Sequence, residues 1–397
     1  MGIQSGPFMK ILFYLPVVTP WWFDNIVAPL IDRLVVEAAV HVMVPPLWCG
    51  TGIAAEQLAG VAAADRVEWH ILDGEDHQRL RSNGDGFDGL LDLVHAIDPD
   101  FALCRSADLE TPRRFPCPVR HLMEAAFPPF PSRAEWVVLR EDPFDHCVMP
   151  ELGSAERGSL HAGFDEIWSA MRRRIAGQAP DDGLRDRQEK GADSLLVSLP
   201  LEYEHEENFF GIHRPYADNA ALVSALAEAV DDDVLLAVTD HPLNLLHCDR
   251  SALDAAVARH AGRVRLVSPR RRKDQPTLSV VSASDGMIVS NSKVISIAAF
   301  LGKPILRLSD HASGHWLNAY SDLPAFIAAL RQGAPQMPSQ DEAKTFFAFH
   351  AANNIIDPTH EDTDGRLILD MIESPVDRRR WPAGIRRYAD SCRELVQ

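Results

Sequence analysis

The chain has 397 residues, 46% of them hydrophobic and 24% charged, so it is long enough for two domains that each bury their own core. Its 39 Lys and Arg residues against 57 Asp and Glu residues give a net charge of −18. This acidic balance excludes broad nucleic-acid binding, because a polyanion would be repelled. The 6 cysteines form no CxxC pair, so the sequence predicts neither a zinc site nor a disulfide framework.

The longest apolar runs have the length of strands, so we predict no signal peptide and no membrane-spanning segment. Scattered cysteines fit reduced thiols, and we therefore expect a cytoplasmic protein. Peripheral association with the inner face of the membrane, through a surface patch, stays open.

The first half of the chain alternates short apolar runs with helical segments. Strands are predicted over residues 10–18, 40–44, 66–72, 101–104 and 119–123, and helices over 26–36 and 90–97. This repetition predicts a Rossmann-like domain with a parallel sheet. The domain lacks the G-x-G-x-x-G fingerprint, so a nicotinamide or flavin cofactor has no support. Trp21, Trp22 and Trp48 follow two of the strands and suggest a platform for a sugar or a lipid-linked acceptor, with ordinary packing as the alternative.

A Gly- and Asp-rich stretch over 177–193 predicts a linker, and we place the main domain boundary near 176–192. The cycle then restarts. Strands are predicted over 194–199, 234–238, 264–267, 286–289 and 305–308, and helices over 217–230, 253–260, 294–301, 342–352 and 364–373. One further helix, over 164–175, precedes the linker. We expect residues 1–180 to form the first domain and 190–375 a second Rossmann-like domain. The last helix, within 376–397, is expected to pack back on the first domain.

Two polar turns follow buried strands of the second domain. Ser290-Asn291-Ser292 precedes a short helix, and hydroxyl caps and open amides at a helix start are suited to bind a phosphate. His241-Pro242 follows another strand, and its imidazole can donate a hydrogen bond to a phosphate. Both turns should open on one edge of one sheet, so the sequence predicts a phosphate or pyrophosphate site. A structural histidine and an ordinary capped helix are the alternatives.

Three segments of the second half, 194–210, 216–242 and 284–310, resemble the bacterial capsular-polysaccharide biosynthesis family, which includes Kdo transferases. They are more distantly similar to bacterial sialyltransferases and polyol-phosphate polymerases. In order and spacing they look like that family's strand-Pro-Leu-Gln segment, its His-Pro motif, and its Ser-rich turn before a helix ending in Gly-Lys-Pro.

This resemblance implies a GT-B glycosyltransferase, an α/β protein in which two Rossmann-like domains face a cleft. The nucleotide-sugar donor would bind to the second domain, and the glycan or lipid-linked acceptor to the first. The residues implied at the donor phosphate and nucleotide are Glu202, which replaces the family's Gln, together with His241, Pro242, Ser290, Asn291 and Ser292. Asp240 precedes the His-Pro motif where Lys or Arg is common, and an Asp beside a phosphate is unfavourable unless it points away.

Transfer of a sugar requires a group that takes the proton of the acceptor hydroxyl. The candidates are Asp73, Glu75 and Asp76 on one strand-end loop and Glu124 on another, and we prefer Glu124 to Asp73. A solvated or capping carboxylate is the alternative for each. No metal and no other cofactor is expected, because helix amides and a histidine can neutralise the leaving phosphate. An acidic metal cluster in the 73–76 stretch is the alternative.

We therefore expect a glycosyltransferase of surface-polysaccharide assembly, with a CMP-activated acid sugar such as Kdo as the donor. The enzymatic alternatives are a CDP-polyol phosphotransferase and a UDP-sugar enzyme of the epimerase type. Asp240 keeps open a non-catalytic protein that binds a nucleotide or glycan as a scaffold. The carboxylate of an acid sugar would need a basic partner, from 270–273 or Arg307, and His311 and His315-Trp316 lie where a base or sugar could pack.

Overall fold

The computed structural model describes residues 9–176, 194–267 and 276–396, which form two sheets with helices on both faces. The strands are β1 (Lys10–Tyr14), β2 (Ala39–Val44), β3 (Val67–Ile71), β4 (Phe101–Cys104), β5 (Val119–Glu124), β6 (Val137–Arg140), β7 (Leu195–Pro200), β8 (Val234–Thr239), β9 (Val264–Val267), β10 (Gly286–Val289) and β11 (Ile305–Arg307). The helices before the gap at 177–193 are α1 (Pro20–Trp22), α2 (Ala28–Leu34), α3 (Ala55–Gly60), α4 (Leu90–Ile97), α5 (Glu110–Arg113) and α6 (Ser154–Ala176). Those after it are α7 (Asn219–Ala229), α8 (Asn244–His247), α9 (Ser251–Arg259), α10 (Pro276–Ala283), α11 (Ile295–Leu301), α12 (Leu323–Arg331), α13 (Gln340–Phe349), α14 (Gly365–Glu373) and α15 (Trp381–Val396).

The first sheet has the strand order β3-β2-β1-β4-β5-β6, and only β6 runs antiparallel to its neighbour. Side chains alternate along β1, so that Ile11 and Phe13 join the core on the α2 side while Leu12 and Tyr14 join the core on the other side. A strand buried on both faces is apolar throughout, which is why β1 is recognisable in the sequence.

The second sheet has the order β11-β10-β7-β8-β9 and is parallel throughout. In both sheets the strand order reverses beside the first strand, between β1 and β4 and between β7 and β10. Ligands of doubly wound folds bind outside the carboxyl ends of the strands at such a reversal. Two Rossmann-like sheets confirm the predicted fold class.

An aromatic cluster joins the two halves of the molecule. Phe130, which follows β5, lies 4.8 Å from Phe347 of α13 and 5.4 Å from both Phe164 of α6 and Phe300 of α11, measured between ring centroids. All four rings are buried. Because this burial spans both domains, it favours one fixed arrangement of the sheets.

The chain returns to the first sheet after α13. Ile356 pairs with Val137 of β6, and α14 packs on α2. In α15, the Tyr388 hydroxyl donates a hydrogen bond to the Pro131 carbonyl at 3.1 Å. None of the helices in the described ranges combines the length and the low charge that crossing a lipid bilayer requires.

Several element boundaries differ from those predicted. The helix predicted over 26–36 starts at Pro20, because Thr19 caps the Trp22 amide and Pro20 is preorganised for a first helical turn. A π-helical turn over Phe23–Val27 then leads into α2. The helix predicted over 164–175 begins at Ser154. We predicted no element for β6, α3, α5, α8, α10 or α12. The predicted boundary at 176–192 lies almost entirely outside the described residues.

Candidate active site

The carboxyl edge of the second sheet holds the predicted donor residues. Glu202 follows β7, and its Oε1 accepts a hydrogen bond from the Asn291 amide at 2.6 Å. The Arg214 Nε lies 3.9 Å from the other carboxylate oxygen. Burial raises the pKa of Glu202, against the opposing effects of the Asn291 amide and Arg214. The turn after β10 is thus held to the turn after β7 by a carboxylate.

Asn244 of α8 connects the β7 turn with the β8 turn. Its side-chain amide donates to the Glu202 carbonyl and to the Asp240 carboxylate, both at 2.8 Å. The Arg250 Nε lies 2.7 Å from the other Asp240 oxygen. Asp240 therefore faces Asn244 and Arg250, which removes the objection to an acidic residue beside a phosphate site. Sequence analysis missed Asn244. The available signal was an Asn two residues after the His-Pro dipeptide at a strand end, where its side chain can hydrogen-bond to the neighbouring turns.

The imidazole of His241 is oriented by its own loop. The Leu243 amide donates to Nδ1 at 3.3 Å, which leaves the proton of the neutral ring on Nε2. Tyr203 packs beside the ring, at 5.4 Å between centroids. Burial lowers the pKa of His241, partly offset by Asp240, so the ring is neutral at pH 7 and can donate a hydrogen bond through Nε2. Pro242, the next residue, is exposed.

The Ser290-Asn291-Ser292 turn contacts both domains. The Asn291 side chain donates to the His213 carbonyl at 2.8 Å and accepts from the Ser309 hydroxyl at 2.5 Å. The Asn291 carbonyl lies 2.8 Å from Nε2 of His146, in the first half of the chain. Asn291 is therefore fully engaged, with its amide on Glu202. Ser292 accepts the Val294 amide at 3.4 Å, but no side chain caps α11. The amides of Ile295 and Ser296 donate to the carbonyls of Ser292 and Lys293, so the predicted open amides are engaged.

A small cavity adjoins this turn. It is lined by Glu202, Arg214, Tyr216, Asn219 and Ser290 among others, and its enclosed space of about 10 Å³ has room for roughly one water molecule. In this structure the cavity is therefore too small to enclose a nucleotide base or a phosphate.

Glu124 is the centre of an ion-pair network between the sheets. Lys293, which follows the Ser-Asn-Ser turn, donates to its Oε2 at 2.6 Å and to its carbonyl at 2.8 Å. Arg105, which follows β4, donates to Oε1 at 2.7 Å. Its guanidinium lies 3.7 Å from the centre of the Trp22 ring. Burial alone would raise the pKa of Glu124. The positive charges of Lys293 and Arg105 nevertheless hold this pKa well below its usual range.

Neither cation of this network was predicted. A lysine beside the start of a helix opposes the helix dipole, and this unfavourable position was the available signal for Lys293. Arg105 directly follows the buried strand β4, and residues at the carboxyl end of a parallel strand often contact a ligand. A carboxylate with two cationic partners stays ionised at neutral pH and accepts a proton poorly while both contacts hold.

Asp73 does not reach this network. It follows β3, at one end of the sheet, while Glu124 ends β5. Four strand spacings separate them, roughly 19 Å. The two predicted base candidates therefore cannot serve the same reaction centre.

A histidine–carboxylate pair also spans the domains. His311, which follows β11, places Nδ1 3.0 Å from Oδ2 of Asp142, which follows β6. The rings of His213 and Phe144 pack on His311, with centroid distances of 5.3 and 4.6 Å. A carboxylate at Nδ1 orients an imidazole so that Nε2 can accept a proton, as in general-base catalysis. The sequence showed His311, but its partner Asp142 only emerges from the docking of the two domains.

No family model and no curated protein sequence matches the chain. Among solved structures, the chain is similar to two transferases of Thermosulfurimonas dismutans KpsC. The β-Kdo 2,7 transferase is 14% identical over 77% of this chain and 88% of that chain, with a TM-score of 0.39. The β-Kdo 2,4 transferase is 11% identical over 86% and 90%, with a TM-score of 0.42. UDP-GlcNAc 2-epimerase from Neisseria meningitidis, bound to UDP-GlcNAc, is 14% identical over 92% and 100%, with a TM-score of 0.26.

The predicted likeness to Kdo transferases is thus confirmed, and the structures that the chain resembles also include UDP-GlcNAc 2-epimerases. At TM-scores below 0.5 the similarity is too distant to transfer an activity or a substrate. The function has to follow from the residues of this chain.

Proposed function

We propose that the protein is a metal-independent glycosyltransferase of the GT-B type. It binds a nucleotide-activated sugar at the carboxyl edge of the second sheet and transfers the sugar to a glycan or glycolipid held by the first domain. The observation that carries this proposal is the convergence of His241, Glu202 and the Ser-Asn-Ser turn on one edge, with the Arg105–Glu124–Lys293 network facing them from the cleft.

The donor we propose is a CMP-activated acid sugar, Kdo or a relative. Such a donor has a phosphate and a carboxylate, and the cleft offers Arg105 and Lys293 as cationic partners in addition to the Nε2–H of His241. Arg307, the sequence candidate for the carboxylate, donates instead to the backbone carbonyls of Phe144 and Ala312. The other candidates, 270–273, lie outside the described residues.

The proposed reaction forms a bond from the acceptor hydroxyl oxygen to the anomeric carbon and breaks the bond from that carbon to the phosphate. CMP leaves with the bonding electron pair, stabilised by the Nε2–H of His241 and by the hydroxyls of Ser290 and Ser292. The hydroxyl proton goes to Glu124 once the anionic donor draws Lys293 away and so restores the basicity of the carboxylate. His311, oriented by Asp142, is the other proton acceptor that the cleft offers.

One observation favours a second candidate function. Glu202 places a carboxylate on the Asn291 amide, where the resemblance expects a phosphate site, and its charge would weaken the binding of an anion. A protein that binds a nucleotide or a glycan without turnover is therefore the competing proposal.

The test is nucleotide release by the purified full-length protein. CMP-Kdo, CDP-glycerol and UDP-GlcNAc are each incubated with and without glycan or glycolipid acceptors, for the wild type, His241→Ala and the matched exposed-residue control His247→Ala. The proposal expects acceptor-dependent CMP release from CMP-Kdo that is lost only in His241→Ala. Release of CMP from CDP-glycerol would instead identify a CDP-polyol phosphotransferase, and epimerisation of UDP-GlcNAc would identify an enzyme of the epimerase type. Binding without any turnover would favour the non-catalytic protein.

A further inference from the structure

A cluster of two histidines and one glutamate lies on the first sheet, away from the cleft. His41 belongs to β2, and Glu68 and His70 belong to the edge strand β3. In the parallel register His41 is paired with Glu68, and Met43 with His70. Residues two apart in a strand share a face of the sheet, so all three side chains project from the same face.

The geometry of the three side chains is that of a chelating group. His41 Nδ1 lies 3.3 Å from His70 Nε2 and 3.3 Å from Glu68 Oε2. The ligand atoms of the three residues all lie within 4.8 Å of one another. In a tetrahedral zinc site with bonds of about 2.0–2.1 Å, two ligand atoms are separated by about 3.3 Å.

Burial divides the group into a fixed part and an adjustable part. His41 is buried, with 8% of its surface exposed, so its ring is held by the sheet. The Glu68 side chain is 72% exposed and can rotate toward an ion. The two imidazole rings are nearly parallel, at 9°, with centroids 5.6 Å apart, and His70 is half-buried.

We propose that His41, Glu68 and His70 form a binding site for a divalent transition-metal ion, with zinc as the first candidate and water as the fourth ligand. Two neutral imidazoles and one carboxylate are the ligands of Zn²⁺ and its neighbours in the first row, whereas Mg²⁺ and Ca²⁺ require mostly oxygen ligands. The bound ion connects the edge strand β3 to β2 and so stabilises the first domain. The site is independent of the proposed sugar transfer, because β2 and β3 lie three and four strands away from β5, which carries Glu124.

The test uses the full-length protein after removal of metals with EDTA. Zn²⁺ binding is measured by calorimetry and by the shift of the melting temperature, and Co²⁺ is added as a spectroscopic probe of tetrahedral coordination. The variants are His70→Gln, Glu68→Gln and, as a control, His95→Gln on the exposed side of α4. Mg²⁺ serves as the control ion.

We expect one Zn²⁺ ion per chain, a higher melting temperature with Zn²⁺ but not with Mg²⁺, and a tetrahedral Co²⁺ spectrum. His70→Gln should weaken Zn²⁺ binding by about tenfold or more, and His95→Gln should leave it unchanged. If His70→Gln does not fold, Zn²⁺ binding by Glu68→Gln tests the proposal instead, because Glu68 is exposed and its substitution should leave the fold intact. This variant too should bind Zn²⁺ more weakly than the wild type. Equal Zn²⁺ affinity in the wild type and the tested site variant, or no Zn²⁺ binding by the wild type, would overturn the proposal.

Discussion

Lys293 and Glu124 form a direct contact between the two sheets, with the ammonium 2.6 Å from the carboxylate and 2.8 Å from the backbone carbonyl of the same residue. The two residues lie 169 positions apart in the chain. Their contact bridges the two sheets beside the residues of the proposed reaction. It therefore has two roles, one in the stability of the domain arrangement and one in the ionisation of the candidate base.

The first prediction concerns stability. Glu124→Gln leaves Lys293 and Arg105 without their anionic partner, and the side chain is 36% exposed, so water compensates part of the loss. We expect the free energy of unfolding to fall by about 1–3 kcal/mol, measured by chemical denaturation. Asp85→Asn, in the exposed ion pair with Arg114, is the control and should change it by about 0.5 kcal/mol or less. Equal effects of the two substitutions would show that the network contributes no more to the free energy of unfolding than an exposed ion pair does.

The second prediction concerns the charge of Glu202. Glu202→Gln keeps an acceptor for the Asn291 amide but removes the negative charge, so binding of CMP should become tighter, by up to about tenfold. Glu202→Ala also removes the acceptor, frees the turn after β10 and should weaken binding. Calorimetric titration with CMP compares the two variants. If Gln and Ala shift the affinity in the same direction, the carboxylate does not act through the Asn291 turn.

Much of this edge of the sheet could be predicted from the sequence. The strands at 264–267 and 286–289 have the predicted bounds, since a buried parallel strand is an uninterrupted apolar run. The turns at His241 and at Ser290 follow such strands, and the parallel topology brings them to one edge. These are local signals combined with a rule of topology.

The cleft itself could not be predicted, because its contacts depend on how the domains dock. Lys293 meets Glu124, and His311 meets Asp142, across 169 positions of the chain, and no local pattern specifies those partners. The edge strand β6 was missed because it lies between proline-containing loops. The hydrogen bond from the Asn291 amide to Glu202 could not be predicted either, because the two turns that it connects are 89 residues apart in the chain.

The third prediction concerns pH. Burial lowers the pKa of His350 from 6.5 to about 3, and its Nε2 lies 3.0 Å from the Ala125 carbonyl. Between these values the unfolded chain binds a proton that the folded protein does not. The free energy of unfolding therefore falls as the pH is lowered from 6.5, by about 1.4 kcal/mol per pH unit from this residue.

The measurement for this third prediction is urea denaturation at pH 7 and pH 5. His350→Gln keeps a donor for the carbonyl, so the loss of stability between the two pH values should be smaller by about 2 kcal/mol than in the wild type. The exposed His247→Gln should retain the pH dependence of the wild type. An unchanged loss in His350→Gln would mean that the buried imidazole is not what makes the protein sensitive to acid.

The fourth prediction separates the two proposed proton acceptors. Asp142 also accepts the Phe144 amide at 2.8 Å, and Asn can keep this contact, so Asp142→Asn should fold. If His311 is the base, Asp142→Asn lowers kcat by about 10²-fold or more, with little change in KM, whereas Glu124→Gln has a smaller effect. If Glu124→Gln lowers kcat more than Asp142→Asn does, Glu124 is the proton acceptor. If neither variant lowers kcat, neither residue takes part in the proposed reaction.

The central claim is that the carboxyl edge of the second sheet binds a nucleotide donor through His241. Its most direct test is the melting temperature of the wild type, His241→Ala and His247→Ala with CMP, CDP, UDP, GDP and ADP, because a ligand bound only by the folded protein must raise it. We predict that CMP stabilises the wild type and His247→Ala, and that His241→Ala abolishes the shift. No shift with any nucleotide at millimolar concentration, or an equal shift in His241→Ala, would contradict the claim.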